Sequence, residues 1–295
     1  MSFLTSMGGI SGAFLLLPFQ VTVLGFDTPA VSSTNLVYNI VAIPGGIVRF
    51  VREGRMVWPL VLTISLGTVP AVFVGAILRV RYLPDPAAFK LLVGVVLLYI
   101  GGRMAYDLVR TRRGDDAPGQ RDVRMARRMT GGAGRRGGAA PAAVRVESFG
   151  PLRCRCRYAD EAFDFNPLAV LLLVCVTGVV GGAYGIGGGA IIAPILVSVF
   201  ALPVYTVAGA TLTGTFLTSI VGVTTYTWVA PHVSGAEVAA SPDWLLGAVM
   251  GAGGLVGIYL GARLQKHVPA RAIKWMLAAI MLFVAARYVV LFFSR

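Results

Sequence analysis

The chain has 295 residues, of which 56% are hydrophobic and 13% charged, with a formal net charge of +13 and a mean hydropathy of +0.77. That balance excludes an ordinary soluble domain, and three cysteines, an odd count, make no disulfide framework. What remains is an integral membrane protein, because about 20 apolar residues already span the hydrocarbon. No basic n-region followed by a short apolar stretch and a cleavage site opens the chain, so no removable signal peptide is expected.

In chain order, an apolar segment at 1 to 24 contains the run "GGISGAFLLLPFQV" and carries no charged residue. Apolar runs between charged or Pro/Gly-rich breaks then predict helices near 29 to 48, 56 to 78 and 87 to 107. Residues 110 to 157 hold 13 of the 26 basic residues, all arginine, against Asp115, Asp116, Asp122 and Glu147. This region reads as a linker, Gly-rich at "TGGAGRRGGAAP". Its end, "AVRVESFGPLRCRCRY", alternates side-chain character on both sides of a Gly-Pro turn, as a small two-stranded ribbon would. The linker lacks an aromatic stacking platform or a recognised nucleic-acid motif, so anionic lipid headgroups are the simpler partner. Cys154 and Cys156 form a C-x-C that could be half of a metal site, but no His or further Cys lies nearby.

The second half opens on an apolar segment at 167 to 202, interrupted by "YGIGGGAIIAP", and continues with predicted helices at 206 to 229, 242 to 262 and 271 to 292. From 166 through 236 there is no Asp, Glu, Lys or Arg. His232 lies in a Pro-bounded loop and reads as a solvated side chain.

The chain repeats itself. "GGISGAFLLLPFQV" from Gly8 superposes without a gap on "YGIGGGAIIAPILV" from Tyr184, which places Pro18 on Pro194 and Gly12 on Gly188. Further on, Trp58, Gly67 and Gly75 fall on Trp244, Gly253 and Gly261. The expected domains are a membrane repeat at 1–109, the linker at 110–165 and a second membrane repeat at 166–295. If each glycine-broken segment folds back as a hairpin, the second repeat is inverted. The positive-inside rule favours this arrangement, since it gathers Arg49, Arg52, Arg55, Arg263, Lys266, Arg271 and Lys274 with the linker on the cytoplasmic side. The expected fold is therefore an all-α integral membrane protein of two inverted repeats, each a glycine-broken hairpin plus three transmembrane helices.

A broken helix survives in a bilayer only where it is buried in protein or lines a cavity. Gly185, Gly187, Gly188 and Gly189, with Tyr184 before them, would open a half-helix whose N-terminus carries free N–H donors and partial positive charge. Ser11 and Gly12 offer the same device in the first repeat. Asn35 and Asn39 lie four apart on one face of the next helix, with Ser33 and Thr34 beside them, and align with Thr211 and Thr215. These neutral side chains can donate to oxyanion oxygens without a buried basic residue. Thr213, Thr218, Thr224 and Thr225 are expected only to bond their own turns.

These motifs resemble the TauE/SafE sulfite exporter family of membrane transporters. The likeness is carried by "GIGGGAIIAPIL" followed by "AGATL", and by the weaker copy "GGISGAFLLLPF" followed by "SSTNL", over roughly 1 to 110 and 165 to 295. The resemblance implies transport of a small sulfur oxyanion or organosulfonate across the plasma membrane. It implies a central site at Ser11, Gly12, Ser33 to Asn35, Gly185 to Gly189 and Thr211. The first repeat departs from the pattern, with Ser-Gly-Ala where the second has Gly-Gly-Gly. No catalytic constellation, cofactor motif or metal cluster is read, so no enzyme activity is expected; a homo-oligomer stays open. The rival reading is a membrane-anchored sensor or scaffold acting through the basic linker, or a carrier of a non-sulfur anion.

Overall fold

The computed structural model describes residues 2–24, 30–82, 143–158, 161–229 and 241–293, with His232 and helical residues between 94 and 109. Most of the expected helix at 87 to 107 and residues 110–142 of the linker lie outside the described residues. Among the described residues, six helical stretches are long and apolar enough to cross a membrane: Ala30–Arg52, Trp58–Arg79, Pro167–Tyr184, Val204–Val229, Trp244–His267 and Ala270–Val290.

The first repeat begins with a short helix, α1 (Ser2–Ser6), a break, and α2 (Ala13–Val23). Helices α3 (Ala30–Arg52) and α4 (Trp58–Tyr82) follow. In the second half α5 (Pro167–Tyr184) and α6 (Gly189–Ser198) flank the glycine run, and α7 (Val204–Thr224) comes next. Then come α8 (Trp244–Leu264) and α9 (Ala270–Phe293). Helix α5 starts where Asn166 accepts from Ala169 N with Pro167 at the first helical position, and it stops where Gly185 turns left-handed and bonds back to Gly181 O.

Past that stop the chain doubles back. A Cβ on Gly181 would lie 2.8 Å from Gly188 Cα, and one on Gly188 would lie 3.4 Å from Gly178 Cα. In one continuous helix, residues seven and ten apart would be separated by about 10 and 15 Å. The first repeat turns the same way, for a Cβ on Gly12 would collide with Ser2 Oγ, ten residues back.

Where a two-stranded ribbon is expected, three strands form: β1 (Val144–Phe149), β2 (Cys154–Tyr158) and β3 (Glu161–Phe165), antiparallel in that order. Cys154, Cys156, Tyr158, Phe163 and Phe165 face inward, while Arg155 and Arg157 face out and pair with Glu147 at 3.4 and 2.5 Å. The two thiols sit 3.8 Å apart, and among the described residues no group of three or more metal-ligating side chains comes together. The sheet docks on the helices through Val144 N to Gly54 O, 2.8 Å, and Leu168 N to Pro151 O, 3.2 Å.

These contacts define a sheet end of the helix bundle and fix the direction of each helix. The α3–α4 turn, the start of α5 and the α8–α9 turn lie there, the last through Arg55 Nη1 to Gln265 Oε1, 2.6 Å. The start of α7 joins them, Tyr205 Oη donating to Val268 O at 2.8 Å. At the opposite end Asp243 N, before α8, donates to Thr34 Oγ1 near the start of α3, 2.9 Å. So α3 runs toward the sheet end and its counterpart α7 runs away from it; α4 and α8 are likewise opposed.

Candidate functional site

The two chain reversals meet the two central helices crosswise. Gly9 (φ +77°) of the first repeat packs on α7: a Cβ there would lie 2.5 Å from Thr211 Oγ1 and 2.7 Å from Ala208 Cα. Gly185 (φ +74°) of the second packs on α3, where a Cβ would collide with Ser32 Cβ. Both positions combine left-handed backbone with no room for a side chain, which only glycine accepts. Residues 32 and 208 occupy corresponding places in the two halves, so each reversal is seated on the other repeat's helix at the same point. Gly75 and Gly261 show the same exchange, lying against Val179 O of α5 and Phe3 O of α1.

Side chains of α3 and α7 fasten these reversals by hydrogen bonds to backbone carbonyls. Asn35 Nδ2 donates to Ala13 O at 3.2 Å, and Asn39 Nδ2, one turn on, to Ile186 O at 3.3 Å. Ser32 Oγ donates to Tyr184 O at 3.2 Å. Thr211 Oγ1 lies 3.0 Å from Gly9 O and also reaches Val207 O and Ala208 O within its own helix. Thr215 donates to Thr211 O, and a Cβ on Gly189 would press on Thr215 Oγ1. Thus α3 holds the start of α2 and the second reversal, while α7 holds the first reversal and the start of α6.

Both half-helices begin uncapped. Gly12 before α2 and Gly188 before α6 are buried, and neither helix has a side-chain cap. At α2 Phe14 N and Leu15 N turn back to Ser11 O and Gly12 O at 3.4 and 3.1 Å, which leaves the N–H groups ahead of them as the open donors, and the helix dipoles place positive potential at both starts. Around them Ser11 Oγ, Asn35 Oδ1 and Asn39 Oδ1 are buried with no hydrogen-bond partner among the described residues. No Lys, Arg, Asp or Glu is within either reversal or the α3 and α7 segments that brace them. Positive character there comes from backbone alone.

Of the residues expected at the site, Ser11, Gly12, Asn35, Asn39, Gly185, Gly187, Gly188, Gly189, Thr211 and Thr215 belong to the two reversals or to the helix faces against them. Tyr184 joins through its carbonyl, and its ring stands edge-on to Tyr288 with centroids 5.9 Å apart. Thr34 is turned elsewhere: it donates to Ala30 O and accepts from Asp243 N at the far end of the bundle. Ser33 Oγ donates to Ala30 O in its own turn. Thr213, Thr218, Thr224 and Thr225 bond carbonyls of their own helix, as expected.

Ser32, Gly9 and Tyr38 also belong to this assembly and were not singled out by sequence, and Ile186, inside the glycine run, joins through its carbonyl. Tyr38 Oη pairs with Ser2 Oγ at 2.5 Å, closing the first reversal. The repeat offset would have exposed Gly9, which falls on Gly185. Nothing in the sequence marks the Ile186 carbonyl as an acceptor.

With this geometry in place, the model of the sulfite exporter TauE/SafE family matches residues 1–288. The chain belongs to that family. Membership implies a multi-pass membrane transporter of sulfur-related anions, from a family of transporters rather than of enzymes. No curated protein and no solved structure gives a match.

Proposed function

We propose that this TauE/SafE protein moves a small sulfur oxyanion or organosulfonate across the plasma membrane by alternating access. The anion binds between the two reversals, on the N-termini of α2 and α6 and the Asn35/Asn39 and Thr211/Thr215 faces. The observation that carries this reading is the pair of buried, uncapped half-helix N-termini, each braced by α3 or α7. Half-helix N-termini in membrane interiors hold anions without a buried cation.

The two halves act as inverted repeats. The opposed directions of α3 and α7 and of α4 and α8, with the crosswise seating of Gly9 and Gly185, support this. Rocking one repeat on the other would then open the reversals to alternate sides. The sheet end is the cytoplasmic one, which agrees with the cluster of Arg49, Arg55, Arg263, Lys266 and Arg271 near it. Arginines on the outer face of the sheet meet anionic headgroups there. An inside-negative potential drives an anion outward by about 2.3 kcal/mol per charge per 100 mV, so export needs no proton carrier.

The test is efflux from proteoliposomes loaded with labelled sulfite, run with and without an imposed potential and repeated with Thr211→Val. Potential-driven efflux that the substitution reduces supports the reading. Efflux indifferent to the protein refutes it.

A further inference from the structure

We infer that the anion taken by this site carries its own O–H or N–H donor, as a hydrogen-oxyanion or a hydroxyl- or amine-bearing sulfonate does. The inference rests on the anion-binding reading above and deepens it. Its ground is the orientation of two amides. Asn35 Nδ2 and Asn39 Nδ2 each donate to a backbone carbonyl, Ala13 O and Ile186 O. Reversing either amide would set its Oδ1 against that carbonyl oxygen, two acceptors face to face, so the carbonyls fix both orientations. Among the described residues each Oδ1 is left buried without a partner, and Ser11 Oγ, in the first reversal beside Ala13, is a third such atom. Asn35, Asn39 and Ser11 are all fully buried.

A buried acceptor without a partner bears the full desolvation cost of that atom. The site therefore offers two complementary surfaces. The starts of α2 and α6 supply N–H donors and positive potential for anionic oxygens, and the asparagine oxygens supply acceptors one helical turn apart. A fully deprotonated dianion satisfies the first and is repelled by the second. An anion that keeps one donor satisfies both, its O–H or N–H pointing to Asn35 Oδ1 or Asn39 Oδ1. The second repeat has Thr211 and Thr215 at the corresponding positions, whose hydroxyls already donate to carbonyls. Of the two bracing helices, recognition of the donor is thus assigned to α3.

The experiment compares ethanesulfonate with 2-hydroxyethanesulfonate, which differ by one hydroxyl, by binding and thermal shift on the full chain in nanodiscs. Total sulfite is titrated in parallel from slightly acid to alkaline pH. The hydroxyl-bearing sulfonate is expected to bind at least about tenfold tighter, since a site built to pair a ligand hydroxyl rejects the analogue lacking it. Affinity for total sulfite is expected to fall as the hydrogen-anion gives way to the dianion. The variants Asn35→Thr and Asn39→Thr remove the Oδ1 acceptor and substitute a shorter polar side chain that the fold already accepts at 211 and 215. Both preferences should vanish in the double variant.

Equal binding of the two sulfonates overturns the donor inference and leaves the anion reading standing. Preferences that survive in the double variant overturn the assignment to Asn35 and Asn39. Binding of none of these ligands overturns both readings together.

Discussion

The Arg55 guanidinium donates from Nη1 to Gln265 Oε1 at 2.6 Å, joining the α3–α4 turn of the first repeat to the end of α8 in the second. Its Nη2 also reaches Ala262 O at 2.9 Å and Glu53 Oε2 at 2.5 Å, and the group stacks on Phe50 at 4.5 Å. Gln265 Nε2 continues the chain of contacts to Met7 O at 2.6 Å, where the first reversal begins. Burial pushes the Arg55 guanidinium below its usual range, and the Glu53 carboxylate opposes that shift. A charged network at the sheet end thereby holds the reversal through one glutamine.

Removing its centre should be costly. Arg55→Leu leaves Gln265 Oε1 and Ala262 O without their donor and takes from Glu53 one of the two arginines closely paired with it, so a loss of about 3 kcal/mol is expected in thermal unfolding. Arg55→Lys should recover only part of it, because an ammonium cannot serve both acceptors and the Phe50 ring from one plane.

Gly185→Ala should destabilise by about 3 kcal/mol or more, combining a left-handed residue with a collision against Ser32. Gly253→Ala is its counterpart: a Cβ there meets nothing within 4 Å, and in the middle of α8 it should raise the melting temperature slightly. Melting curves of the two variants side by side check the contrast.

Thr211→Val should cost about 1 kcal/mol through the lost bond to Gly9 O and lower transport, while Thr211→Ser restores both. Thr224→Val, which removes a bond only to Val221 O at an exposed position, should leave stability within about 0.5 kcal/mol. Flux and melting temperature measured on the same preparations separate a site effect from a folding effect.

The thiols give a pH signature at the sheet. Burial and then the neighbouring Cys154 push the Cys156 thiol up to about 12 from its ordinary value of 9.0. Its folded form keeps the proton more tightly than its unfolded form. The stability this group contributes is therefore complete below pH 9.0 and is lost as pH rises toward about 12. Alkylation of Cys154 and Cys156 near pH 8 should be more than about tenfold slower in the native protein than after unfolding, and mass spectrometry of the labelled peptides reads it. Fast native labelling at that pH would show the sheet undocked.

The membrane class, the broken segments and the repeat were legible in the sequence because each is written in local pattern: apolar runs of spanning length, four glycines in five residues, and Pro18 recurring as Pro194 at a constant offset. The one-face spacing of Asn35 and Asn39 was legible for the same reason, since helical period places them. The strand Glu161–Phe165 was not, because five residues carry little periodicity of their own. Which carbonyl the Asn39 amide reaches, that Thr34 turns to Asp243, and that Gly9 and Gly185 each sit on the other repeat's helix depend on contacts between residues about 150 to 200 positions apart. The sequence by itself determined the elements and their duplication, because those follow from hydropathy and backbone freedom along the chain. Only the tertiary structure decided the crosswise seating and the orphaned oxygens, because they arise where two helices and two reversals exclude water together.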